Sequence, residues 1–179
     1  MNTAEQILNA ALPEFYQHGF HATGVDQLSA CAGVTKRTLY RHFPSKDLLI
    51  DAVLQSRDEE FMELMAAFVD AYPTVKRPQA YLDFLAEWGG ALDFHGCMFI
   101  NAAAEYADPS AMPHVQAKAH KARVKDYLKR ICREAQLDDP EVFAAQLFLV
   151  GEGLIVATQV SGYARTNFEL AKRMLGFIA

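Results

Sequence analysis

Apolar residues recur at helical spacing from one end of this chain to the other. Ile7, Leu8, Ala11, Leu12 and Phe15 form one stripe, which predicts a helix running to about Gln17 and ended by Gly19. Thr3 followed by Gln6 reads as its capping box, and Pro13 predicts a local bend. Val25, Leu28 and either Cys31 or Ala32 mark a short helix over 24–32, which Thr23 is placed to cap and Gly33 to end. Leu39 and Phe43, four residues apart, face inward on a third helix that Thr35 caps. Residues 45–71 read as one long helix stopped before Pro73. Further starts fall near Pro78, near Cys97, near Ser110 with Pro113 in the first turn, at Asp139-Pro140 and near Asn167. Sustained period-two alternation is absent from the sequence, so the expected fold class is all-α.

Two short helices joined by a tight Gly turn, with Val34 wedged behind Gly33, make a helix-turn-helix. With Leu39 and Phe43 turned inward, Lys36, Arg37, Thr38, Tyr40 and Arg41 remain outside. Arg or Lys can donate to guanine O6 and N7 in a major groove, and Thr can bond a base edge or touch a thymine methyl. Tyr40, His42 and Lys46 are placed to hold phosphates, and Pro44-Ser45-Lys46 opens a helix whose free amides attract an anion. Charge sharpens this picture. Lys36, Arg37, Arg41 and Lys46 against Glu5, Glu14 and Asp26 leave residues 1–46 at +1, so the remainder carries −6 of the total −5. A small cationic face on an acidic protein binds DNA locally without wrapping it.

The spacing A-x-x-x-F-x-x-x-G-F-x-x-T-x-V from Ala11 to Val25, followed by AGVTKRTLYRHFPSKDLL from Ala32 to Leu49, resembles the N-terminal domain of the tetracycline-repressor (TetR) family of bacterial transcriptional regulators. The resemblance covers residues 4 to 50. It implies a three-helix DNA-binding domain over residues 1–46, and a helical bundle for ligand binding and dimerisation over residues 47–179. It also implies that Thr35 to Arg41 form the recognition helix, and that Thr23 joins Tyr40, His42 and Lys46 on the phosphates. Arg37 and Gly24 depart from the residues common in relatives, which are small at the first position and often Ser at the second.

Residues 141–160 hold only two charges, Glu141 and Glu152, too few for a helix with one face in water. Gly151, Gly153, Ala145 and Ala157 permit a close crossing with a second copy. Phe168, Leu170, Ala171, Met174, Leu175 and Ile178 supply a second apolar stripe, so a homodimer through the helices near 140–161 and 167–179 is expected.

The resemblance implies a small-molecule effector bound in the C-terminal half, whose binding moves the two reading heads out of register. Large side chains there, from Tyr81 to Phe148, serve mostly as core. The candidate lining residues are Trp88, His95, Cys97, Phe99, Asn101, Glu105, Tyr127 and Gln146. Cys97 follows Gly96 at a helix start, where the dipole favours a thiolate able to react.

His95, His114 and His120 lack metal-site spacing, and the sequence contains no nucleophile elbow, H-E-x-x-H, P-loop or complete dinucleotide fingerprint. No enzyme activity, metal or cofactor is expected. Neither a disulfide framework, a signal peptide nor an apolar run near the roughly 20 residues of a membrane span is read from the chain, which points to the cytoplasm. Two other readings use the same residues: a DNA-binding dimer without a ligand, and a dimeric adaptor that has lost DNA binding.

Overall fold

The computed structural model describes residues 2–177. Among them lie nine α-helices and no strand: α1 Thr3–His18, α2 Val25–Cys31, α3 Lys36–His42, α4 Lys46–Asp70, α5 Arg77–Gly89, α6 Met98–Glu105, α7 Met112–Glu134, α8 Pro140–Ser161 and α9 Arg165–Met174. A single 3-10 turn, Thr74–Lys76, precedes α5. The chain separates into two compact units, Met1–Glu60 with Met98–Lys118, and Phe61–Cys97 with Ala119–Ala179. They do not follow the expected boundary at residue 46, because α6 and the start of α7 pack with the N-terminal helices.

In the first unit α1, α2 and α3 pack on one another around Ile7, Phe15, Phe20, Leu28 and Leu39, all removed from solvent. The caps differ from the sequence expectation. Asn2 begins α1, its side chain accepting from Glu5 N while the Glu5 carboxylate accepts from Asn2 N, a box one residue ahead of Thr3 and Gln6. Gln6 instead donates to the Ala32 carbonyl at 2.8 Å, satisfying the end of α2. Thr23 does not cap α2. It is buried, its hydroxyl donates to the Gly19 carbonyl at 2.6 Å, and the capping position falls to Gly24, which offers no side chain. Ala32, not Cys31, is the buried residue at the end of α2, and Val25 is half-buried. Pro13 lies inside α1 on an exposed position. Gly33 takes φ +62, the left-handed conformation that turns the chain toward α3.

In the second unit α5 packs against α8 and α9. Asp139 caps α8 by accepting from Val142 N at 3.3 Å, with Pro140 in its first turn. α9 begins at Arg165, two residues before the expected start, behind Ala164, which has no capping side chain. Ile178 lies outside the described residues. Arg77 bonds Glu134, and Arg130 reaches Glu134 and Asp70, so charges on α4, α5 and α7 form one network. Cys31 is an exposed free thiol, Cys97 and Cys132 are buried ones, and burial with Glu141 nearby pushes the Cys132 thiol up to about 11.

α8 corrects the expectation about apolar runs: its 22 residues are long and apolar enough to cross a membrane by length and composition. Within the unit it is a core helix on one side, burying Ala144, Leu147, Phe148, Gly151, Leu154, Ile155 and Thr158. On the other side Val142, Leu149 (69% exposed), Val156 and Val160 (79%) are open, and a Cβ on Gly153 would meet nothing within 4 Å.

Gly151 is tight for a different reason, since a Cβ there would stand 2.6 Å from the hydroxyl of buried Tyr81 and 3.1 Å from Leu85 Cδ1. Gly151→Ala is therefore expected to destabilise by about 1–3 kcal/mol through overpacking, despite a gain in helix propensity of up to about 1 kcal/mol. Thermal unfolding checks this, and an unchanged or raised Tm contradicts it.

Candidate DNA interface

The cationic surface is built on seven residues of helix, α3. Thr35 caps it, accepting from Thr38 N at 3.1 Å, and the Thr35 and Thr38 hydroxyls pair at 3.0 Å. Leu39 is fully buried and Phe43, at the C-terminal cap, is half-buried, so these two fix which face turns out. Lys36, Arg37, Tyr40 (44%), Arg41 and His42 are exposed, and Thr38 is half-buried. Lys36 forms an ion pair with Asp26 of α2, which aims its ammonium group. Surface pairs of this kind hold weakly, leaving Lys36 able to exchange a carboxylate for a phosphate or base edge.

Ser45 caps α4 by accepting from Leu48 N at 3.1 Å. The neighbouring Lys46 reaches back, donating from Nζ to the His21 carbonyl at 3.3 Å. Thr35, Lys36, Arg37, Thr38, Tyr40, Arg41, His42 and Lys46 thus all belong to α3, its cap and the first residue of α4. Thr23 is the exception: with no exposed side-chain surface and its hydroxyl committed to Gly19, it cannot hold a phosphate through that group.

The sequence reading missed what holds the turn between α1 and α2. Glu105, at the end of α6 and expected to line a ligand pocket, belongs to the first unit. Its Oε1 accepts from Phe20 N at 2.9 Å, and its Oε2 accepts from His21 N at 2.7 Å and lies 3.0 Å from His21 Nδ1. The His21 ring stacks on Tyr106 at 4.6 Å, and Phe20 meets Tyr106 edge-on at 6.2 Å. Burial raises the Glu105 pKa, but the bonds from His21 and Phe20 outweigh it and hold the carboxyl below its ordinary 4.5.

The remaining ligand candidates are divided between the two units. Phe99 and Asn101 also fall in the first unit, on α6. In the second unit Trp88 packs edge-on against Phe61 and Phe94 at 5.1 and 5.0 Å, and Phe61 in turn meets Phe84 and His120. The Tyr127 hydroxyl donates to Asp70 at 3.2 Å, Gln146 is exposed on α8, and His95 is half-buried. Cys97 is 4% exposed, with Lys121 Nζ 3.4 Å from its sulfur and 2.7 Å from Glu152. An open groove of about 290 Å³ lies between α7 and α8, lined by Lys125, Lys129, Ala144, Ala145, Phe148 and Leu149, none of them a predicted lining residue. Among the described residues no cluster of His, Cys, Asp and Glu could hold a metal.

Residues 7–53 match the family of bacterial regulatory proteins described as the tetR family. Over 76 residues the chain is 37% identical to the HTH-type transcriptional regulator RutR of Escherichia coli K12, covering 42% of this chain and 36% of that one. The chain therefore spans little more than a third of that relative's length. The HTH-type transcriptional regulator YjdC of the same organism is 26% identical over 153 residues, 84% of this chain and 80% of that one. The crystal structure of SCO4454, a TetR-family transcriptional regulator from Streptomyces coelicolor, matches with a TM-score of 0.87 at 28% identity, covering 97% of this chain and 94% of that one.

The lowered Glu105 pKa has a pH consequence. A depressed carboxyl contributes stability above its unfolded value, near 4.5, and loses that contribution as the pH falls through its lower folded value. The Tm advantage of the wild-type protein over Glu105→Gln is expected to be full near neutrality and to close as the pH drops below 4.5. Melts of both proteins across that range check it, and a gap independent of pH contradicts it.

Proposed function

We propose that this chain, a member of the TetR family of bacterial regulatory proteins, is a homodimeric repressor that binds a palindromic DNA operator and leaves it when a small molecule binds. The observation that carries the DNA-binding reading is the cationic face of α3, with Arg37, Tyr40 and Arg41 exposed, Leu39 buried beneath and Thr35 capping the end that would enter the groove. In this reading residues 1–46 supply the DNA contacts and residues 47–179 the effector and dimer contacts, a functional division distinct from the two packing units. Lys36, Arg37 and Arg41 read base edges, while Tyr40, His42 and Lys46 hold phosphates.

Dimerisation is supported by the open side of α8, where Val142, Leu149, Gly153, Val156 and Val160 form a continuous stripe, and by exposed Leu170 and Met174 on α9. A patch of this kind on one monomer marks an interaction site, and a two-fold partner places two heads on one palindrome, about 34–36 Å apart or at a modified spacing. The protein works in the cytoplasm, where its DNA is. One observation favours the reading without an effector: Phe61, Phe84, Trp88 and Phe94 pack ring against ring.

Two sets of variants test the assignment on a duplex that the protein selects. Arg37→Ala is expected to relax preference at one base position by about 1–3 kcal/mol, and Tyr40→Ala to weaken binding on all sequences alike. Equal losses on every sequence from both would contradict that division of roles. Val156→Glu, which sets two carboxylates against each other in a two-fold interface, is expected to give monomers by sedimentation. Its operator affinity should fall roughly a hundredfold or more as the second head is lost. A dimer of unchanged affinity contradicts the α8 interface.

A further inference from the structure

We infer that Glu105 is a positioning residue of the DNA reader: seated on the two amides that follow Gly19, its carboxylate holds the α1–α2 turn and thereby fixes the half-site spacing the protein accepts. The inference rests on the regulator reading above and adds to it the residue that sets how rigidly each head is carried.

The turn is made to receive an anion. Gly19 ends α1 at φ +86, and the next two backbone N–H groups, of Phe20 and His21, converge on one carboxylate at 2.9 and 2.7 Å. Successive amides of a turn can form an anion-binding concavity, and bonds to a charged acceptor are about twice as strong as neutral ones. Gly19 is also required by the ligand it receives, since a Cβ there would stand 2.9 Å from Glu105 Oε1. The His21 ring adds a third contact at 3.0 Å and stacks on Tyr106, and Tyr106 is itself tied to α7 through its carbonyl, 2.8 Å from His114 Nδ1.

These contacts bind the turn to α6 across 84 and 85 residues of sequence. The same turn is held from α4, where Lys46 donates to the His21 carbonyl. The joint is made by Glu105, Phe20, His21 and Tyr106, while the side chains that face the bases lie on α3. Loss of the carboxylate therefore frees the turn while the residues facing the bases keep their places. α6 follows Cys97 directly in the chain, and Cys97 belongs to the unit that carries α8 and α9, so the backbone itself continues from the joint into that unit.

A spacing test separates this role from simple stability. One added base pair turns a half-site by about 34° relative to its mate, which a firmly held head cannot follow and a loosened one can. Wild type, Glu105→Gln and His21→Ala would be titrated, well below each Tm, on palindromes of the selected half-site with spacers one base pair shorter, unchanged, and one or two longer. The wild type is expected to prefer one spacer by roughly tenfold or more, Glu105→Gln to bind neighbouring spacers within about threefold, and His21→Ala to fall between, with base preference in the half-site unchanged. Amide exchange at Phe20 and His21 should quicken in Glu105→Gln even without DNA. A Glu105→Gln protein that keeps the wild-type spacer ranking, even with weaker binding or a lower Tm, overturns the inference, as does unchanged exchange at both amides. If Glu105→Gln fails to fold, the intermediate relaxation of His21→Ala decides the matter alone. Failure of the wild type to bind any duplex overturns the regulator reading itself, a result distinct from a wild type that binds with a fixed spacer and a variant that does the same.

Discussion

α8 has more apolar surface than its own subunit can cover, and that excess governs the arrangement proposed for the whole molecule. Its inner side closes the second unit, where Gly151 lets Tyr81 and Leu85 of α5 approach the helix backbone. Its outer side leaves Leu149 and Val160 largely exposed, with Gly153 between them offering no side chain at all. At about 25 cal/mol for each Å² of apolar surface removed from water, covering such a stripe is a substantial driving force. In the proposed dimer a second copy covers it, and an isologous contact through α8 and α9 would duplicate the reading head about a two-fold axis.

α1, α2 and α3 pack around a small core, and α2 and α3 have seven residues each. Polar contacts supplement that core at the points where helices end: Asn2 and Glu5 at the start of α1, Gln6 on the last carbonyl of α2, Thr35 at the start of α3 and Glu105 in the turn after α1. The first three contacts occupy backbone groups that a helix end leaves without partners, and Glu105 occupies two amides of the turn itself. These contacts carry an exposed set of basic side chains on a protein whose net charge is negative.

Helix positions were legible in the sequence because punctuation was strong. Gly33, Pro78 and Asp139-Pro140 each dictate a backbone conformation or a missing donor, and the structure turns or starts a helix at each. The cap of α3 was legible for the same reason, with Thr35 directly following a Gly turn and an apolar wedge. Other caps were ambiguous by one position. Asn2 with Glu5 and Thr3 with Gln6 both satisfy the spacing of a capping box, and only the fold, which draws Gln6 to Ala32, separates them. Thr23 was misread because its hydroxyl had a competing acceptor in the Gly19 carbonyl, exposed when the end of α1 unwinds. Glu105 carried no local signal, as its partners lie more than eighty residues away. The aromatic side chains of the second half could not be sorted into packing and pocket by spacing alone, since edge-to-face stacking of Phe61 on Trp88 depends on how separate helices meet.

The central claim is that two copies of this chain, joined through α8 and α9, read one palindromic duplex with paired α3 helices. Selection of bound sequences from a random DNA pool by the purified protein, followed by affinity measurement across salt concentrations on the winner and a scrambled control, tests it most directly. The account predicts inverted repeats bound by two protomers, with a steep salt dependence on both duplexes and a clear preference for the winner. No enrichment at low salt, or winners holding a single half-site bound by one protomer, would contradict it.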